Sequence, residues 1–69
     1  MNWTDGITCS VLRDGDAVAE VVIMDAATDL WTYTARHPSG VGIGTFQTRD
    51  AAKAAAERAI RHMRGEDEE

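Results

Sequence analysis

Catalytic or metal chemistry in this 69-residue chain would have to come from two histidines, one cysteine and twelve acidic residues. His37 falls in a turn and His62 near the end of a helical stretch, and neither has an acid at a spacing that would orient its ring. Cys9 alternates with Ile7 and Val11 in a strand pattern, so its thiol is expected to sit inside as a small hydrophobe. As the only cysteine it excludes an internal disulfide and a cysteine-based zinc cluster. Asp14, Asp16, Asp25 and Asp29 stand at expected hairpin ends, the ordinary structural use of aspartate, and nothing around them follows a calcium-loop spacing. No nucleophile, base and orienting group converge, so the chain is expected to have no enzymatic activity, cofactor or metal.

The glycines of Gly40-Val-Gly42-Ile-Gly44 suggest a phosphate cradle at first sight. Such cradles lead from a strand into a helix, and here the glycines alternate within a strand pattern with no Gly-Lys-Ser/Thr after them. Their expected role is to leave room on a sheet, for an aromatic ring or for another backbone.

The element that must organise these residues is Thr48 to Arg64, which reads as one amphipathic helix. Thr48 is suited to cap it, and Asp50 places a negative charge at the positive end of the helix dipole. Ala52, Ala55, Ala56, Ala59, Ile60 and Met63 form one apolar stripe, Gly65 ends the run, and Arg61 and Arg64 occupy the last turn. Glu57 lies four residues from both Lys53 and Arg61, the spacing of solvated helix pairs. Alanines contribute little bulk, so the helix must lie close to a surface that supplies larger side chains.

Four strand patterns precede it. Residues 7–11 and 17–24 alternate around Asp14-Gly15-Asp16, a strong hairpin signal. Residues 25–29 form a polar connection to Trp31-Thr-Tyr33-Thr-Ala35, and His37-Pro38-Ser39-Gly40 turns into a last strand, 41–46. The expected fold is α+β: a four-stranded antiparallel meander, β-β-β-β-α, with the helix on one face. Residues 1–64 form the single domain and residues 65–69 an acidic disordered tail. The helix is expected to cover Cys9, Val21, Ile23, Tyr33 and Ile43. The opposite face then shows Leu12, Val18, Val22, Met24, Leu30, Gly42, Gly44 and Phe46, more apolar surface than a solvated face needs. Either a partner or second copy covers it, or Trp3 and the amino-terminal arm fold over it.

The net charge of −5 is segregated. Residues 1–48 hold six acids and two bases, residues 49–64 five bases and two acids, and residues 66–69 are all acidic. No run of about 20 apolar residues could span a membrane, and MNWTDG is no leader, so a cytoplasmic protein is expected.

Trp31-x-Tyr33, a glycine-containing turn, and Phe46-x-Thr48-x-x-Ala51 with further alanines resemble the tail of several small strand-strand-helix domains, among them the arm-binding domain of phage tyrosine integrases. That family reads DNA from its sheet through basic and aromatic residues. Only Arg13 and Arg36 stand in the strand region here, so the resemblance, which spans residues 31–60, implies the shape and not the DNA role. Small acidic chains without a catalytic set are also similar as a class to phage-encoded inhibitors of the anti-CRISPR type. The leading expectation is therefore a non-enzymatic protein-binding module, an inhibitor or regulator that blocks a host nucleic-acid-binding protein by occupying its surface. Its contact residues would be the sheet face of Leu12, Val18, Val22, Met24, Gly42 and Gly44, or the acidic loops at Asp14, Asp16, Asp25 and Asp29. The first alternative is a nucleic-acid-binding domain using Arg49, Lys53, Arg58, Arg61 and Arg64. The second is a homodimeric accessory protein, with the far sheet face as its interface.

Overall fold

A computed structural model describes residues 3–65. The acidic stretch 66–69 and the first two residues of the amino-terminal arm lie outside the described residues. Five strands, β1 (Trp3–Asp5), β2 (Cys9–Asp14), β3 (Ala17–Asp25), β4 (Leu30–His37) and β5 (Gly40–Phe46), precede one helix, α1 (Arg49–Met63). They form a single antiparallel sheet in chain order, each strand beside the next. The fold is α+β as expected, with five strands where four were expected. β1 is the addition: its three residues are too few to show alternation, but Trp3, Thr4 and Asp5 pair with Leu12, Val11 and Ser10.

The connections follow the turn chemistry of the sequence. Gly15 takes φ 66° at the tip of the β2–β3 hairpin, a conformation that side chains resist. In the β3–β4 loop the Asp25 carboxylate accepts from the Ala27 amide (3.0 Å) and the Asp25 carbonyl from the Asp29 amide (2.8 Å). An extra residue on β3, Met24, bulges between the Ile23–Trp31 and Asp25–Leu30 pairs. Thr48 caps α1, its hydroxyl accepting from the Ala51 amide at 3.1 Å, and Gly65 follows the helix with φ 78°.

α1 lies across β3, β4 and β5 and buries Ala52, Ala56 and Ile60. Beneath it the core holds Leu12, Ala17, Ala19, Val21, Trp31 and Ala35, with Trp3 and Tyr33 packed at its margin. This corrects the expected assignment of two strands. Cys9 and Ile43 are exposed on the face away from the helix, while Leu12, Gly42, Gly44 and Phe46 belong to the helix side. Ile7 is not in a strand at all but in the turn between β1 and β2, 93% exposed. The reason differs for each strand. In β2 the helix-side residues are Ser10 and Leu12, and a serine makes that face look the more polar of the two; its hydroxyl is satisfied by donating to Asp5 Oδ1 at 2.7 Å. In β5 closeness decides. A Cβ at Gly42 would stand 3.3 Å from the Ala59 Cβ, and one at Gly44 would stand 2.6 Å from the Tyr33 ring. The bare positions therefore face inward and the branched Val41 and Ile43 outward.

Candidate protein-binding face

The face opposite α1 follows from pairing. Cross-strand rows run Thr4–Val11–Glu20–Thr34–Ile43, Cys9–Val22–Thr32–Thr45 and Arg13–Val18–Arg36–Val41. Met24 joins this face at the bulge, where its sulfur accepts from the Thr32 hydroxyl at 3.0 Å. Thr32 and Thr45 hydroxyls meet at 3.3 Å. Ile43 is 68% exposed, Met24 64% and Val22 44%. Trp3, proposed as a cover for this face, instead lies on the helix side. Of the six expected face residues, Val18, Val22 and Met24 are here. Leu12 is fully buried under the helix and Gly42 and Gly44 form the floor beneath it, so none of these three can contact a partner from the open face. Val41, Ile43 and Cys9 take their places. The alternation of β5 separates Val41, Ile43 and Thr45 from the glycines in the sequence; only the side on which each set lies is invisible there.

The four loop aspartates do not form one acidic surface. Antiparallel connectivity puts the β2–β3 and β4–β5 turns at one end of the sheet and residues 26–29 at the other. Asp14 is engaged by Arg64, whose Nη1 reaches its Oδ2 at 3.1 Å and whose Nη2 donates to its carbonyl, and Asp16 lies 3.7 Å from the same guanidinium. At the far end Asp25 closes its own loop, and Asp29 accepts from the Trp31 indole at 3.3 Å.

The basic residues are divided as well. Arg49 donates to the carbonyls of Gly6 (2.9 Å) and Ile7 (2.6 Å) and lies 4.5 Å above the Trp31 ring. Lys53 pairs with Asp5 at 2.6 Å and approaches the face of Trp3. Together with Arg64 these side chains brace the fold. Arg58 and Arg61 remain exposed on the outer helix, with Arg58 beside a shallow trough of about 340 Å³ lined also by Tyr33, Ala55, Ala59 and His62.

His37 corrects another expectation, since an acid does face it. Its Nε2 stands 3.4 Å from Asp16 Oδ1, and its Nδ1 faces Ser39, 3.1 Å from the amide nitrogen and 2.9 Å from the hydroxyl. The set Ser39, His37 and Asp16 has the composition of a hydrolytic triad. The Ser39 hydroxyl, however, donates to the Met63 carbonyl at 2.9 Å, so these groups join two hairpin turns to the helix end. Among the described residues no three His, Cys, Asp or Glu side chains cluster to hold a metal. No described helix is long and apolar enough to cross a membrane.

Asp5 has a displaced titration. The hydrogen bond from Lys53, supported by that from Ser10, lowers its pKa below the ordinary aspartate range. No family model matches the chain, and no curated protein or solved structure matches it at a significant level.

Proposed function

We propose that this chain is a non-enzymatic protein-binding module that acts by occupying another protein's surface, as small inhibitors and regulators of the anti-CRISPR type do. The observation that carries the reading is the open sheet face, where Val22, Met24, Val41 and Ile43 stand exposed around a threonine patch on an antiparallel frame. Threonines and branched residues tolerate burial, and the charges on this face, Arg13, Arg36 and Glu20, include both signs. Such a mixture suits a protein partner better than a polyanion. Loop charge mimicry has less support, because Asp14 and Asp16 already face Arg64. Nucleic-acid binding through the helix also has less support, since Arg49, Lys53 and Arg64 are engaged within the chain.

The test is capture of a partner by the wild-type chain and by two variants, Val22→Glu on the open face and Arg58→Ala on the helix. Loss with Val22→Glu and retention with Arg58→Ala supports the reading, and the reverse pattern overturns it. Deleting residues 66–69 separates the nucleic-acid alternative: a real helix-borne site should gain affinity and then lose it steeply with salt. Inhibition is read by adding the chain to the captured partner and measuring that partner's hold on its own nucleic acid.

A further inference from the structure

We infer that a second copy of this chain adds to the sheet along β5, pairing β5 with β5 in antiparallel register about a two-fold axis at Ile43. This inference concerns the sheet edge and does not depend on what covers the open face.

β5 has β4 on one side and, among the described residues, no strand on the other. Edge strands are usually defended by charge, proline, a bulge or shortness. β5 has none of these: it runs seven residues, Gly40–Phe46, without a charge or proline and in unbroken register with β4. The other edge differs. β1 has three residues, and one of them, Asp5, is charged and held by Lys53.

The strand is complementary to itself. His37 and Gly40 close a two-residue turn and so form a hydrogen-bonded pair, from which the ladder alternates along β5. The backbone groups of Gly40, Gly42 and Gly44 then point to β4, and those of Val41, Ile43 and Thr45 point out from the edge. Inversion about Ile43 pairs Ile43 with itself and Val41 with Thr45, so the outward groups meet one another in about six hydrogen bonds. On the open face this brings Val41 and Ile43 of both copies into one apolar row.

The helix side completes the match. The same inversion sets Phe46 opposite Gly40 and Gly42 opposite Gly44. Phe46 is partly exposed and leans back over Gly44 towards Tyr33, their ring centroids 6.1 Å apart. Each ring would lie beside the bare Gly40 and Gly42 of the other copy, next to Met63, whose sulfur flanks Gly40. α1 spans β3 to β5 rather than sitting on the outer edge. With strands about 4.8 Å apart, the two helices clear one another. For a chain carrying net charge −5, an uncharged edge also lets two copies meet without opposing like charges.

The full chain should sediment as a dimer in the micromolar to millimolar range and remain one at high salt, because no ion pair joins the copies. Ile43→Pro removes an outward amide that serves no internal ladder bond, and should yield a monomer with native circular dichroism. Ile43→Lys sets two cations at the axis, and should do the same should proline disturb the strand. Val22→Glu, on the open face and away from the edge, should leave the dimer intact. In the dimer the amides of Val41, Ile43 and Thr45 should exchange slowly and lose that protection on dilution. A wild-type chain that stays monomeric throughout overturns the inference. So does a dimer that survives Ile43→Lys and falls apart with Val22→Glu, which would place the interface on the open face.

Discussion

The indole nitrogen of Trp3 donates to Glu57 Oε2 at 2.7 Å, tying the first strand to the middle of the helix across 54 positions of sequence. Lys53, one turn earlier, holds Asp5 of the same strand. The charged face of α1 is therefore partly an internal fastening, and Glu57 does not serve mainly to pair with Lys53 and Arg61 as its spacing suggests. Glu57→Ala should cost about 1 kcal/mol, less than a buried charged hydrogen bond because the contact is partly exposed. Glu57→Gln keeps an acceptor and should cost less. Urea unfolding followed by tryptophan fluorescence checks both. Equal midpoints for Ala and wild type would mean that β1 is not fastened here.

The reversed assignment of β2 is tested by a pair of truncations. Leu12→Ala should cost about 2–5 kcal/mol, because it empties volume at a fully buried site beneath the helix. Cys9→Ala, on the exposed face, should stay within about 0.5 kcal/mol of wild type. A larger loss from Cys9 than from Leu12 would restore the opposite facing.

Gly44→Ala should destabilise by about 1–3 kcal/mol, since the added methyl would stand 2.6 Å from the Tyr33 ring. The penalty should shrink when Tyr33 is first replaced by leucine, because the clash is with the ring and not with the backbone. A double-mutant cycle by thermal denaturation reads the coupling. Additive effects would remove Tyr33 as the reason for the glycine.

Stability should also carry an acid limb traceable to Asp5. Its pKa is lowered in the fold by Lys53 and Ser10, so its contribution is fully present above the ordinary aspartate range and is lost as pH falls through the lowered native value. Asp5→Asn should reduce stability at neutral pH and leave it nearer to wild type once the native carboxyl of the parent has titrated. Denaturant midpoints measured between neutral and strongly acidic pH check this. A constant difference between the two proteins at every pH would contradict it.

Several features are decided by local chemistry and are legible in the sequence. Thr48 caps the helix, the Ala52–Ala56–Ile60 stripe is buried, and Gly15 turns its hairpin, each because the determinant lies within one element. The separation of Val41 and Ile43 from Gly42 and Gly44 is legible too, since alternation is a property of the strand itself. Which set turns toward the helix is not. That choice rests on how near α1 comes, and proximity belongs to the assembled layers: Ala59 and the Tyr33 ring occupy the space that side chains on β5 would need. The same holds for Leu12, whose burial follows from pairing β2 against Ala19, although its neighbour Ser10 is polar. Trp3–Asp5 becomes a strand only because Leu12, Val11 and Ser10 offer a free edge. The roles of Arg49, Lys53, Glu57 and Arg64 as fastenings are likewise set by tertiary structure, because the groups they reach in β1, its following turn and the β2 end lie at least 42 positions away. Periodicity settles what each element can bury, and only the packing of one element on another settles what it does bury.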